Sequence, residues 1–279
     1  MPQAQAPRRA DRYVYGSFFP DPCQTVHLPD FTMAFQPIVD LEDGSIYAYE
    51  ALVRSLDGRG GAAVVLDQIR DENRYAFDQA CRRKAIELAS GLGMQSLLSV
   101  NFLPNAAYSP GSSLERTFET AALCDFPPHH IILEVSETEP ARDPARLKAI
   151  FADYKRQGML TAIDDFGAGH SGLNTLAEFQ PDIVKIDMEL TRNVHKDRVR
   201  RAITRAIVTM CGDLGISVIA EGVENVHEVL TLREMGIRLY QGYLFARPEV
   251  GKLPGVSAEL LADLGGKLDQ HLLETVLRA

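Results

Sequence analysis

Residues 160–187 read LTAIDDFGAGHSGLNTLAEFQPDIVKID. Leu160–Ile163 is a short apolar run, Gly172–Phe179 spaces its apolar residues three and four apart, and Ile183–Ile186 is again short and β-branched. A strand, a helix and a second strand in one compact segment make a β-α-β unit, whose two strands must run parallel. Both strands end on acid, Asp164 and Asp165 after the first and Asp187 after the second.

The same alternation extends outward. Strands are expected near Met33–Val39, Ile46–Leu52, Leu97–Phe102, Ile131–Val135 and Ser217–Ala220. Helices are expected near Arg74–Ser90, Leu114–Leu123, Pro144–Gln157, Arg198–Leu214 and Val226–Met235. About eight strands in a chain of this length suit an α/β fold of the (β/α)8 TIM-like barrel type better than an open doubly wound sheet. The tight turn at Glu42, Asp43 and Gly44 joins the first two strands as a hairpin, so the barrel is expected to be modified, with one antiparallel strand. Residues 1–30, rich in Pro and aromatic side chains, read as an N-terminal extension, and residues 31–279 as the barrel with a C-terminal helical segment. In that segment Val256, Leu260, Leu261, Leu264, Leu268, Leu272, Leu273, Val276 and Leu277 make an apolar stripe, interrupted by Gly265 and Gly266, that is expected to pack on the barrel.

Composition narrows the function classes. The 279 residues are 46% hydrophobic and 24% charged, enough for one full-sized core. A net charge of −9 disfavours binding to DNA or RNA polymers, which need a basic face to neutralise phosphates. Cys23, Cys81, Cys124 and Cys211 lack metal-ligand spacing and read as free thiols. No apolar run is long enough for a membrane segment and the basic N-terminus is not followed by one, so a cytoplasmic location is expected.

Acidic residues close most of the apolar runs: Glu50, Glu134, the Asp164–Asp165 pair, Asp187, Glu221 and Glu224. A carboxylate at the end of a buried strand costs several kcal/mol unless it is paired or bound to a cation, and strand ends of such barrels converge on one mouth. Hard divalent cations such as Mg²⁺ or Mn²⁺ take oxygen ligands, and Asn101 adds an amide oxygen. Adjacent carboxylates at Asp164 and Asp165 suit a pair of ions sharing one bridging ligand, the arrangement used for phosphodiester displacement. Each residue also has a plainer reading, as a salt-bridged surface group or a helix cap. Lys185, two residues before Asp187, is either an ion-pair partner or a stabiliser of developing negative charge.

Seven ordered motifs, YEALVR, VNF, LEVSE, IDDFGAGHSGL, VKID, AEGVE and QGYLFARP, run from about Phe35 to Pro248. In that order they resemble the EAL-domain cyclic di-GMP phosphodiesterases. The resemblance implies a modified (β/α)8 barrel that hydrolyses cyclic di-GMP to linear pGpG with two Mg²⁺ or Mn²⁺ ions. It implies Glu50, Asn101, Glu134 and Asp164 at one metal, and Asp164, Asp165 and Glu221 at the other. Glu50, Asp165, Lys185 and Glu221 would be the catalytic group, with Glu221 a metal ligand or a general base; the ligand role is preferred. Gln36, Arg54, Glu224 and Gln241 match positions lining the substrate groove, and Glu137 matches a glutamate that supports the DDFG loop. Ala168 and His170 depart from the residues common there, with His170 expected to face solvent. Homodimerisation is common in the resembled family, and the loop from Asp165 to Leu173 is a natural place to couple it to activity. Two other readings compete: a silent receptor that binds cyclic di-GMP without cleaving it, and an aldolase-like barrel using Lys185 as a Schiff-base amine. Surrounding carboxylates would raise the lysine pKa, the wrong direction for an amine nucleophile.

Overall fold

The computed structural model describes residues 27–58, 60–105, 113–139, 142–169 and 172–267. Eight strands close a barrel: β1 Phe31–Asp40, β2 Ile46–Ser55, β3 Leu97–Asn101, β4 Ile131–Ser136, β5 Leu160–Phe166, β6 Ile183–Ile186, β7 Ser217–Ala220 and β8 Leu239–Gln241. From β2 to β8 neighbouring strands pair in parallel, and β1 closes the circle antiparallel to both β2 and β8. The hairpin expected from the turn at Glu42–Gly44 is therefore present. Gly44 turns the chain with φ +75°, and Asp40 and Asp43 accept the backbone N–H groups of Glu42 and Ser45. A two-residue strand, β9 Glu249–Val250, adds to β1 outside the barrel.

Helices α1 Ala62–Leu66, α2 Arg74–Gly91, α3 Ser113–Leu123, α4 Pro144–Arg156, α5 Gly172–Glu178, α6 Met188–Thr191, α7 Arg198–Asp213 and α8 Val226–Glu234 surround the strands. The six longer helices read from the sequence lie within a residue or two of their expected bounds. The short α1 and α6 and the strand β9 were not anticipated, and the eighth barrel strand was expected but not placed. Residues 258–267 are helical through Gly265 and Gly266, so these glycines do not interrupt the helix. Leu264 is buried there, and Val256, Leu260 and Leu261 pack against the core, as the apolar stripe predicts. The stripe beyond Lys267, the residues before His27, and His170 lie outside the described residues.

Two separate apolar clusters follow from the strand period of two. The larger fills the space between barrel and helices, with Phe35, Leu98, Phe151 and Tyr154 among its members. The smaller is Ile38, Ala48, Ile132, Ala162, Ile183, Ile219 and Leu239, contributed by seven strands and forming a plug inside the barrel. That plug is the floor of the site.

Candidate active site

Two residues beyond the plug, each strand again points inward, and polar side chains replace apolar ones. Ala48 is followed by Glu50, Ile132 by Glu134, Ala162 by Asp164, Ile183 by Lys185, Ile219 by Glu221 and Leu239 by Gln241. On the reversed strand β1 the step runs the other way, from Ile38 to Gln36. The pleat thus builds a charged layer at the strands' C-terminal ends directly above an apolar floor.

Lys185 stands at the centre of this layer with no exposed surface. Its Nζ lies 2.8 Å from Glu221 Oε1, 2.9 Å from Asp164 Oδ1, 3.0 Å from Glu134 Oε1 and 3.4 Å from Glu50 Oε2. Burial alone would depress its pKa, but Asp164, Glu134, Glu221 and Glu50 outweigh that and hold it well above the ordinary lysine value. An amine whose pKa is raised in this way is held as the ammonium, which has no lone pair to form a Schiff base. Four carboxylates face this one cation. Burial accordingly raises the pKa of Glu134 and Glu221, with Lys185 pulling the other way.

Asp164 and Asp165 should face opposite sides of β5 under strict alternation. Asp165 instead adopts a left-handed backbone, φ +56°, and the β5–β6 register shifts between Ile163 and Phe166. This irregularity brings both carboxylates to the same side. Ligand atoms of Glu50, Glu134 and Asp164 gather within 4.8 Å of one another, as do those of Asp164, Asp165 and Glu221, so Asp164 is common to both groups. Burial and the Asp164 charge push Asp165 up to about 6. Both carboxylate oxygens of Glu134 and Oδ1 of Asp164 are buried without a hydrogen bond, and of these Glu134 Oε1 and Asp164 Oδ1 touch Lys185 at ion-pair distance. Such orphaned oxygens, in two groups sharing a member, fit a pair of hard divalent cations. The five carboxylates and one ammonium carry a formal charge of −4, which two such ions cancel.

The remaining expected residues take varied places. Asn101 ends β3 opposite Glu134 in register and is exposed at the mouth. Gln241 is buried and donates to Glu50 Oε2 at 2.6 Å and to Gln36 Oε1 at 3.3 Å, while Gln36 donates to the Ala246 carbonyl. These amides brace Glu50 within the layer. Arg54, farther along β2, bonds the Val53 carbonyl, and exposed Glu224 pairs with Arg192 at 2.6 Å. Glu137 accepts the backbone N–H of Gly167 at 2.7 Å and of Gly172 at 2.8 Å, spanning the loop after Asp165 and the start of α5. Asp187 does not join the carboxylate groups, although its strand end suggested it would. Its side chain accepts the Glu189 N–H and caps α6.

Three residues to which the sequence reading gave no role hold the Glu221 loop, Gly242 among them although it lies within QGYLFARP. Thr191 Oγ1 donates to the Glu221 carbonyl. Glu228, buried, accepts the N–H groups of Asn193, Glu224 and Asn225. The N-x-x-E spacing of Asn225 and Glu228, a capping box, was its readable signal. Gly242 completes the packing, since any Cβ there would meet Val223 backbone atoms at 2.0–2.4 Å.

Fold and donor set together define a mixed (β/α)8 barrel with a carboxylate cluster at its mouth that could hold metal ions. The sequence profile of the EAL domain matches residues 23–248. The chain belongs to the EAL-domain family. It is 33% identical over 225 residues to the blue light- and temperature-regulated antirepressor BluF of Escherichia coli K12, covering 80% of this chain and 56% of that protein. It is 28% identical to the cyclic di-GMP phosphodiesterase PdeR of the same organism, covering 77% of this chain and 33% of that one. This chain thus spans about half or less of those relatives' length. Among solved structures, a standalone EAL protein from Vibrio cholerae O395 with cyclic di-GMP bound superposes with a TM-score of 0.80 at 48% identity, covering 84% of this chain and 99% of that one. A calcium and cyclic di-GMP complex of Klebsiella pneumoniae BlrP1 gives 0.77 at 36% identity, covering 83% and 59% respectively. No helix among the described residues is long and apolar enough to cross a membrane.

Proposed function

We propose that this chain hydrolyses cyclic di-GMP to linear pGpG with two divalent cations, Mg²⁺ or Mn²⁺. The observation that carries the reading is the pair of carboxylate groups sharing Asp164 above the barrel floor. Glu50, Glu134 and Asp164, with the Asn101 amide, would hold one ion, and Asp164, Asp165 and Glu221 the other. When bound, two such ions supply Lewis-acid stabilisation of the phosphoryl oxygens and a nucleophile active at neutral pH.

The chain's own residues supply position and charge. Lys185 holds four carboxylates in one layer and remains cationic, opposing negative charge that develops at the phosphate. Gln241 orients Glu50. Glu137 fixes the loop that carries Asp165. Arg54 has a planar fork suited to a phosphodiester, and Glu224 at the rim offers acceptors for a guanine edge. Glu221, half-buried beside Lys185, serves as a ligand rather than as a separate base.

The reading draws support from the relative named as a cyclic di-GMP phosphodiesterase and from neighbours with cyclic di-GMP bound. A silent receptor is the second reading, favoured by the relative named as an antirepressor. We also propose a homodimer, because Leu173 on α5 and Val199 and Ile203 on α7 leave apolar side chains in water; sedimentation at micromolar concentration tests it. Chromatographic assay of cyclic di-GMP with Mg²⁺, Ca²⁺ or EDTA, with Glu50→Ala as control, tests the activity. Formation of pGpG in Mg²⁺ that vanishes with EDTA and in the variant supports the phosphodiesterase. Retained nucleotide binding with no product in any metal supports the receptor.

A further inference from the structure

The β3 exit segment, Asn101–Phe102–Leu103, is gripped from behind by an ion pair buried in the helical layer. Asp78 and Arg82, one turn apart on α2, are 7% and 1% exposed and bonded to each other. The other Asp78 oxygen, Oδ1, accepts the Leu103 backbone N–H at 3.1 Å. The Arg82 guanidinium lies over the Phe102 ring, 5.0 Å from its centroid, and its Nε donates to Thr117 Oγ1 at 3.3 Å. Phe102 N–H in turn donates to the Glu134 carbonyl at 2.8 Å, and its ring meets Phe151 and Tyr154 edge-on. Residues 102 and 103 are thus fixed on three sides, while Asn101 itself is exposed at the mouth.

A buried ion pair is a weak device for stability, because desolvation offsets most of its Coulomb attraction and apolar replacements of equal volume often do as well. Arg82 Nη2 is buried with no hydrogen-bond partner, so this pair carries an uncompensated cost as well. What it does supply is direction: a fixed acceptor for Leu103 N–H and a fixed plane against Phe102. We infer that Asp78 and Arg82 are positioning residues for Asn101, setting the place at which its amide oxygen is presented to a divalent cation. The inference rests on the cation site proposed above and adds an outer layer to it.

Direct Mn²⁺ binding, followed by electron paramagnetic resonance without nucleotide, tests it. The double variant Asp78→Leu/Arg82→Met removes both charges and the Leu103 acceptor and puts apolar side chains in their place. It should melt cooperatively near the wild-type temperature yet bind Mn²⁺ roughly 10–100-fold more weakly, the usual loss when an outer-layer partner of a ligand is removed. In an Asn101→Ala background the same replacement should add no further loss. Unchanged Mn²⁺ affinity in the folded double variant, or a loss that adds in full to that of Asn101→Ala, would overturn the inference. Should the double variant not fold, Arg82→Lys decides, since it keeps the charge for Asp78 but loses the guanidinium plane over Phe102. A several-fold loss of affinity absent from the Asn101→Ala background supports the inference, and an unchanged affinity sinks it. Wild-type protein that binds Mn²⁺ but leaves cyclic di-GMP intact would overturn the phosphodiesterase and leave this inference standing, whereas wild-type protein that binds no Mn²⁺ would overturn both.

Discussion

Lys185 Nζ on β6 and Glu221 Oε1 just past the end of β7 lie 2.8 Å apart, and among the described residues Lys185 is the one cation at ion-pair distance from Glu221, Glu50, Glu134 and Asp164. Lys185→Met should therefore leave Glu50, Glu134, Asp164 and Glu221 repelling one another without a cation. Breaking a buried charge cluster in this way costs roughly 3–5 kcal/mol. Thermal melts in EDTA should show that loss, and Mn²⁺ should restore more stability to the variant than it adds to wild type. Equal Mn²⁺ shifts in both proteins would contradict the shared role of lysine and cation.

Asp165 gives the apo protein a pH signature. Its pKa rises from 3.8 to about 6 on folding, chiefly through burial and then through Asp164. A carboxyl raised in this way binds its proton more tightly in the folded state, so its contribution is fully present below about pH 4 and is lost as pH rises through about 6. In EDTA, Asp165→Asn should gain stability relative to wild type across that window and hold the gain above it. Melting temperatures of both proteins from acid to neutral pH check this. A difference that is flat with pH would mean Asp165 keeps its ordinary pKa.

The alternation of strands and helices was legible because β-branched runs and three- and four-residue spacings report burial directly. So was the convergence of acids on one end of the barrel, for Glu50, Glu134, Asp164 and Glu221 each close or follow an apolar run. The β8 strand escaped because Leu239–Gln241 has only three residues, too few for a period. The α6 turn escaped because it is set by the Asp187 cap rather than by an apolar stripe. Period-two reasoning puts Asp164 and Asp165 on opposite faces, and only the left-handed backbone at Asp165 unites them. The Gln241–Glu50 contact joins residues 191 apart in sequence, and it exists because β1 closes the barrel between β2 and β8. Asp78 and Arg82 read as an ordinary one-turn helix pair, and nothing local shows that α3 and the β3 exit bury them.

Glu137 ties Gly167 and Gly172 with two charge-assisted bonds, each worth about 1.5–3 kcal/mol when the acceptor is ionised. Glu137→Ala should free the segment after Asp165. Misplacement of about 1 Å at a reacting centre can cost roughly 10²-fold in rate, so kcat should fall by about that factor while KM changes little. Steady-state kinetics with cyclic di-GMP provide the check, and a change confined to KM would place Glu137 in substrate binding instead.

Gly242 lies where β8 leaves the barrel against the loop after Glu221, and a Cβ there would meet Val223 O at 2.0 Å. The loop is anchored on both sides, since Val223 N–H donates to the Gln241 carbonyl and Leu244 N–H to the Val223 carbonyl. Backbone cannot yield as a side-chain tip can. Gly242→Ala should thus cost about 3 kcal/mol, at the upper end of ordinary overpacking. Denaturant unfolding with an unchanged m-value would register it, and a loss below 1 kcal/mol would show that the loop relaxes freely.

Asp164 belongs to both carboxylate groups, whereas Glu134 belongs to one and Asp165 to the other. That sharing predicts a pattern of cation stoichiometry that no general destabilisation would imitate. By calorimetric titration with Mn²⁺, Glu134→Gln should lose the site it shares with Glu50 and keep the other. Asp165→Asn should do the reverse, keeping the Glu50 site. Asp164→Asn removes a ligand from both, so both should weaken together, and turnover should vanish because no pair of ions remains. Asp164→Asn that keeps one cation at wild-type affinity would show that the two groups are separate sites, with no shared ligand between them.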